Sequence, residues 1–216
     1  KIVYSAHWGP ETVNSTSPTV ANMWRTTPDI YIPWETPQSA WGKIVSYINM
    51  NNAYAQYAKP GAWNDPDFLL VGLTDGWTDP NVVGFTYDEN KTHFSLWCIM
   101  ASPLIIGADV RTLTQQSLNI LLNTEAIAVN QDSLGYQGRP VRKNSVDNTE
   151  VWVKHLKNGD RAVLLFNRSS ATRSITVRWS DAGMSGTVQV RDLWAKMDLG
   201  MKADSMTVPD IPSHGC

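Results

Sequence analysis

WNDPDFLLVG, residues 63–72, sets two carboxylates either side of a proline and then runs straight into Leu69-Leu70-Val71-Gly72. A short apolar run bounded by turn residues reads as a strand buried on both faces, the kind found in parallel sheets covered by helices. Lys59-Pro60-Gly61, just before it, closes a preceding unit with a turn. Acids at the end of a buried strand raise a functional question, because parallel α/β barrels keep their chemistry at the carboxyl ends of their strands.

The flanking sequence repeats the pattern. Upstream, Ile2-Val3-Tyr4 is strand-like, and Thr36-Pro37 is a helix start, a capping hydroxyl followed by proline in the first turn. Behind that start, Trp41, Ile44, Val45 and Ile48 recur at helical spacing. Downstream, a helix from about Asn90 carries Phe94, Trp97, Cys98 and Ala101 on one side and Leu96, Ile99 and Met100 on the other. Such all-round apolarity requires burial against both a sheet and a neighbour. Pro103-Leu104-Ile105-Ile106-Gly107 reads as a further apolar strand, followed by a helical stretch through Leu118, Leu121 and Leu122. Strand–helix alternation of this kind is α/β, with a parallel sheet under helices.

After Gly138 the texture changes. Glu150–Leu156 and Arg161–Phe166 are strands joined through Asn158-Gly159, a strong hairpin signal. Ile175, Val177 and Trp179 alternate with polar residues, as do Val188 and Val190. The chain therefore divides into an α/β part over residues 1–138 and an antiparallel sheet or sandwich over residues 139–216.

Composition narrows the function classes. The chain has 216 residues, of which 42% are hydrophobic and 18% charged, enough apolar content for a sizeable core. A formal net charge of −2 gives no basic footprint for nucleic acid. No apolar run is long enough to cross a bilayer. Cys98 and Cys216 cannot make a disulfide framework. His7, His93, His155 and His214 are scattered without ligand spacing, so no metal site is implied, and His93 is expected on a helix surface. Neither a phosphate loop nor a Gly-x-Ser-x-Gly elbow occurs, and no cofactor is implied. The ten tryptophans suit core volume or a flat platform for sugar rings.

Four stretches sit at expected strand ends: Ser5 to Trp8, Arg25 to Asp29, Asn64 to Asp67, and Gly107 to Asp109. Converging carboxylates in a tryptophan-lined pocket suit glycoside hydrolysis, where one acid protonates the leaving oxygen and a second carboxylate attacks or stabilises the cationic sugar. The plainer alternatives are that Asp65-Pro66 makes a turn and that Asp109 brackets a loop.

Three long motifs then become informative: Gly61-Ala62-Trp63-Asn64-Asp65-Pro66-Asp67, the run Phe94–Arg111, and Ala128–Gly138. Together they resemble glycoside hydrolase family 27, the α-galactosidases (melibiases) and α-N-acetylgalactosaminidases. Trp24-Arg25-Thr26-Thr27-Pro28-Asp29-Ile30 is similar to that family's acid/base segment. The resemblance implies a (β/α)8 TIM barrel followed by an antiparallel β-sandwich, of which this chain holds barrel strands five to eight and most of the sandwich. The implied nucleophile, an aspartate at the end of strand four, is expected on the missing N-terminal half of the barrel, either upstream of Lys1 in the same chain or in a separate chain of a nicked enzyme.

Carried over by position, Asp29 is implied as the general acid/base. Arg25, Trp8, His7 and Asp67 are implied as substrate-binding, with Asp65 holding the turn. The implied reaction is retaining removal of terminal α-linked galactose from an oligosaccharide or glycoconjugate. Relatives acting on β-L-arabinopyranosides, α-N-acetylgalactosaminides or isomaltosyl units, and an inactive carbohydrate-binding protein on the same fold, are the alternatives. Ala6 and Ala21 stand where many relatives pair two cysteines, so no disulfide is expected there. Sequons at Asn14, Asn90 and Asn167 imply glycosylation and a secreted protein, or one delivered to a lysosome or vacuole.

Overall fold

The computed structural model describes residues 2–7, 12–30, 37–76, 78 and 84–216. The expected capping residue Thr36 lies outside them. The first half holds three short parallel strands, β1 (Ser5–Ala6), β2 (Met23–Arg25) and β3 (Trp63–Asp65), hydrogen-bonded in that order. Their registers, Ala6 beside Trp24 and Arg25 beside Asp65, bring the three carboxyl ends to one edge of the sheet. A fourth parallel position is a single bridge between Leu69 and Ile106. Gly107 permits it, since a Cβ there would lie 2.3 Å from the Phe68 ring.

Both apolar runs expected as strands are thus reduced to that bridge. The cause lies in a helix packed behind them. The Leu70 amide, which a continuing strand would offer to its neighbour, donates instead to His93 Nε2 at 3.1 Å, and the chain turns away. His93 is completely buried, with its ring 4.1 Å from that of Trp97, which corrects the expectation that it lies on a helix surface.

The helical layer consists of α1 (Ser17–Val20), α2 (Pro37–Ala53), α3 (Tyr87–Ile99), α4 (Gln115–Leu121) and α5 (Thr124–Asn130). On α2, Trp41, Ile44 and Ile48 face inward as helical spacing predicts, Val45 is half-buried at the rim, and Tyr47 joins the buried face. α3 opens on a capping box between Thr86 and Glu89, and every residue from Thr92 to Ile99 is buried. It is the central helix of the main core, touching α2 on one side and the second half of the chain on the other.

That second half is antiparallel. Strands β4 (Arg139–Asn144), β5 (Thr149–His155) and β6 (Arg161–Asn167) form one sheet, with Gly159 at φ +96° in the β5–β6 turn. Strand β7 (Arg173–Arg178) pairs with β10 (Ser205–Ile211), and β8 (Thr187–Asp192) with β9 (Met197–Ala203). β5 is buried on both faces. Trp152 points with Leu164 and Phe166 into the α3 core, while Val151 and Val153 meet Ile175, Val177 and Trp179 of the second layer. No described helix is long and apolar enough to cross a membrane.

Candidate active site

Each strand of the parallel sheet delivers side chains to one cleft. β1 ends just before His7, β2 ends on Arg25, and β3 ends on Asp65 with Asp67 two residues beyond. The cleft has a volume of about 440 Å³ and is lined by His7, Arg25, Asp29, Ile30, Asp67, Phe68 and Leu73. That volume falls in the range of small-ligand sites. His7, Arg25, Asp29 and Asp67 are thus brought together by the fold, whereas Trp8 lies outside the described residues. Asp109 takes no part. It is exposed and closes an ion pair with Arg111 at 2.6 Å.

Arg25 is the hub. Its Nη1 donates to Asp29 Oδ1 at 3.1 Å, and its Nη2 donates to Asp67 Oδ2 at 2.9 Å. Nη2 also reaches the Thr27 and Pro28 carbonyls at 3.2 and 2.8 Å. The guanidinium is thereby locked into the turn that carries Asp29, and a planar fork suits this better than a lysine ammonium. Tyr47 of α2 supports the same turn by donating its hydroxyl to the Asp29 carbonyl at 3.0 Å. On the open side, His7 Nε2 stands 3.7 Å from Asp29 Oδ1.

The two acids flanking Pro66 behave differently from each other. Asp67 Oδ2 accepts from Arg25 and from the Ile30 amide at 2.7 Å, and its Oδ1 accepts from the Phe68 amide at 2.8 Å. Asp67 lines the cleft, yet its side chain is only 8% exposed, against 48% for Asp29. Asp65 Oδ1 accepts from the Asp67 amide at 2.9 Å, closing an Asx turn across the proline. Burial pushes the Asp65 carboxyl up to about 6, while the Asp67 amide and the Arg25 charge pull it back. A perturbed carboxyl beside a cleft marks a functional region, and nothing in local spacing separates it from an ordinary turn aspartate. Asn64, from the same motif, is a core residue: it accepts from Trp24 Nε1 and donates to Tyr54 O and Gln137 Oε1.

The three sequons are unequal. Asn14 is exposed, and its Oδ1 accepts from the Thr16 amide and hydroxyl. Asn90 lies in the first turn of α3, half-buried, with Nδ2 donating to Phe85 O and Thr86 O. Asn167 corrects the sequence expectation. It is completely buried, and its Nδ2 donates to the carbonyls of Ala171, Ile211 and Pro212, so a glycan has no room there. Its sequon is a structural knot that fastens the end of β10 to β6. Cys98 and Cys216 are both free, and Ala6 and Ala21 pack in one small apolar cluster with Trp24.

Comparison with known proteins places these features in a family. A family model described as alpha galactosidase A matches residues 1–132, and one described as the alpha galactosidase C-terminal beta sandwich domain matches residues 146–216. An α-galactosidase of rice is 41% identical over 211 residues, covering 97% of this chain and 46% of its own length. Among solved structures, α-galactosidase I of Mortierella vinacea superposes with a TM-score of 0.81 at 28% identity, covering 99% of this chain and 56% of that one. A family 27 β-L-arabinopyranosidase of Geobacillus stearothermophilus, in complex with arabinose, gives 0.82 at 30% identity, covering 99% and 48%. The chain spans about half the length of the curated relatives it matches. With its parallel strands forming part of a TIM barrel and its antiparallel sheets a β-sandwich, the chain belongs to glycoside hydrolase family 27, the α-galactosidase family.

Proposed function

We propose that this chain supplies the acid/base side of a retaining exo-glycoside hydrolase that releases terminal α-linked galactose from oligosaccharides or glycoconjugates. The observation that carries the proposal is the contrast between the carboxylates of the cleft. Asp67 is saturated by Arg25 and two amides, whereas Asp29 keeps an exposed carboxyl face on the cleft. In the proposed cycle, Asp29 donates a proton to the glycosidic oxygen as the bond to the anomeric carbon breaks. An aspartate from a barrel strand outside this chain attacks that carbon. Asp29 then takes a proton from the water that releases the sugar. Arg25 keeps the acid in place through both half-reactions, and His7 faces the substrate beside it. The exposed sequon at Asn14 supports passage through a secretory route.

A second reading, cleavage of β-L-arabinopyranosides, is supported by the structural likeness to the Geobacillus enzyme. The two glycones differ only by a hydroxymethyl group, so a panel of aryl glycosides separates them. With the polypeptide that contains this chain, the α-galactoside is expected to give the highest kcat/KM. A higher value for the arabinopyranoside replaces the first reading with the second. Binding of galactosides without turnover of any substrate overturns both in favour of a lectin-like role.

A further inference from the structure

The backbone of Asp67 is the unusual element beside the cleft. Its φ is +84°, a region that L side chains other than asparagine and aspartate rarely enter and that persists only where the surroundings enforce it. Two clamps enforce it here. The Asp67 amide is held by Asp65 Oδ1 at 2.9 Å, and the Asp67 carbonyl by Trp97 Nε1 at 2.8 Å. From this pose the side chain turns back to meet Arg25 at 2.9 Å and the Ile30 amide at 2.7 Å. Both contacts lead to Asp29, one through the guanidinium and one through the next residue along the chain.

We propose that Asp65 is a positioning residue for the reaction, fixing Asp67 in its left-handed conformation so that Asp67 aims Arg25, and the turn at Ile30, at the acid/base. The proposal rests on the assignment of Asp29 as that acid/base. Asp65 enters this relay through its hydrogen bond to the Asp67 amide. What the relay needs from residue 65 is an acceptor oxygen three bonds beyond Cα, where the Asp65 Oδ1 now stands, and an asparagine supplies one without the charge. An alanine does not. Its loss frees Asp67 to relax to an ordinary negative φ, which swings the carboxylate off Arg25 and Ile30 together. A displaced acid slows the steps that need a proton and spares those that do not, since positioning errors of about 1 Å cost on the order of 100-fold.

The test compares Asp65→Ala, Asp65→Asn and Asp65→Ser in the polypeptide that contains this chain, with two substrates. One carries a poor alkyl leaving group and the other an activated nitrophenolate. Asp65→Ala is expected to lower kcat/KM, which reports the first half-reaction, by roughly 30- to 100-fold on the alkyl glycoside and by under about fivefold on the nitrophenyl glycoside. Asp65→Asn is expected to restore the alkyl substrate to within about threefold of wild type, with Asp65→Ser between the two. Equal losses on both substrates, or an asparagine no better than alanine, overturn the proposal. Should Asp65→Ala fail to fold, the order asparagine above serine on the alkyl substrate decides, and serine equal to asparagine overturns it. Asp29→Asn runs alongside: absence of leaving-group discrimination there refutes the acid/base assignment itself, whatever residue 65 does.

Discussion

Asp29 stands on the cleft with Arg25 on one side and His7 on the other, and the consequence for chemistry is specific. Asp29→Asn should cut turnover of alkyl galactosides by at least about 1,000-fold, within the usual reach of general acid catalysis. Activated aryl galactosides should lose far less in their first step, because a phenolate leaves without a proton. Values of kcat/KM on the two substrate types, which are set by the first step, check this, and equal losses there would reduce Asp29 to a binding group. Asp65 yields a prediction of a different kind. Its raised pKa means that, between about pH 4 and pH 6, the folded protein holds a proton that the unfolded chain has released. Stability therefore falls as pH rises through that window, by roughly 2–3 kcal/mol in all. Asp65→Asn removes the titration, so the variant should match wild type near pH 4 and exceed it by about that amount at pH 7. Urea midpoints across the range measure the gap, and a gap that does not widen with pH refutes it. WRTTPDI and WNDPD are local patterns that pointed to Asp29 and Asp67, while Asp109, set at an expected strand end in the same way, stays outside the cleft. The sequence did not show that Asp67 is spent on Arg25 and backbone amides, because that depends on a register between β2 and β3 and on a positive φ that no spacing encodes.

At the scale of elements, α3 decides how far the parallel sheet extends. His93 must accept from the Leu70 amide, so its Nε2 is unprotonated and the ring is neutral, with burial pushing its pKa down to about 3. The unfolded chain takes up a proton below about pH 6.5 that the folded chain refuses, so stability drops as pH falls from there toward 3. His93→Phe keeps a ring against Trp97 but strands the Leu70 amide, at a cost of about 1–3 kcal/mol at pH 7. Because the phenylalanine does not titrate, its deficit should shrink as pH falls toward 5. Thermal or chemical denaturation at the two pH values checks the sign, and a deficit that grows in acid refutes the assignment. Three of the five described helices, α2, α3 and α4, were legible from the spacing of their apolar residues, whereas α1 and α5, of four and seven residues, are too short to carry a periodic stripe. The short barrel strands were less legible. LLVG and PLIIG are apolar enough for strands, but a histidine 23 residues along the chain takes the first amide, and one bridge is all that forms. The hairpin at Asn158-Gly159 and the alternating strands around it matched expectation, since that sheet forms from neighbours in sequence.

On the scale of the whole molecule, the sandwich closes the barrel helices from outside, and the sheet itself stays open at both described edges. β1 pairs with β2 alone, and across the sheet Ile105 and Ile106 are 47% and 40% exposed beside the Leu69 bridge. Near β1, Ile2 and Val3 are exposed as well. Unpaired apolar edges of this kind recruit other strands, and in the proposed enzyme those are barrel strands outside this chain. Residues 1–216 produced alone should aggregate and show no turnover, and soluble, fully active material would refute that. The proposed double displacement also predicts the stereochemistry. For the proposed double displacement, the Asp29 carboxyl must face an attacking carboxylate about 5–5.5 Å away, too close for the water that an inverting enzyme admits. The cleft places Asp29 at the carboxyl ends of β1 to β3, and the proposed cycle requires the opposing acid on its exposed side. Two inversions at one carbon restore the starting configuration. Proton NMR of the first seconds of hydrolysis by the whole enzyme should therefore show α-galactose, with the β anomer growing in only at the rate of mutarotation. If β appears first, water attacks directly, the carboxylates stand further apart than the proposal requires, and the double displacement is wrong even though Asp29 keeps its role as the acid.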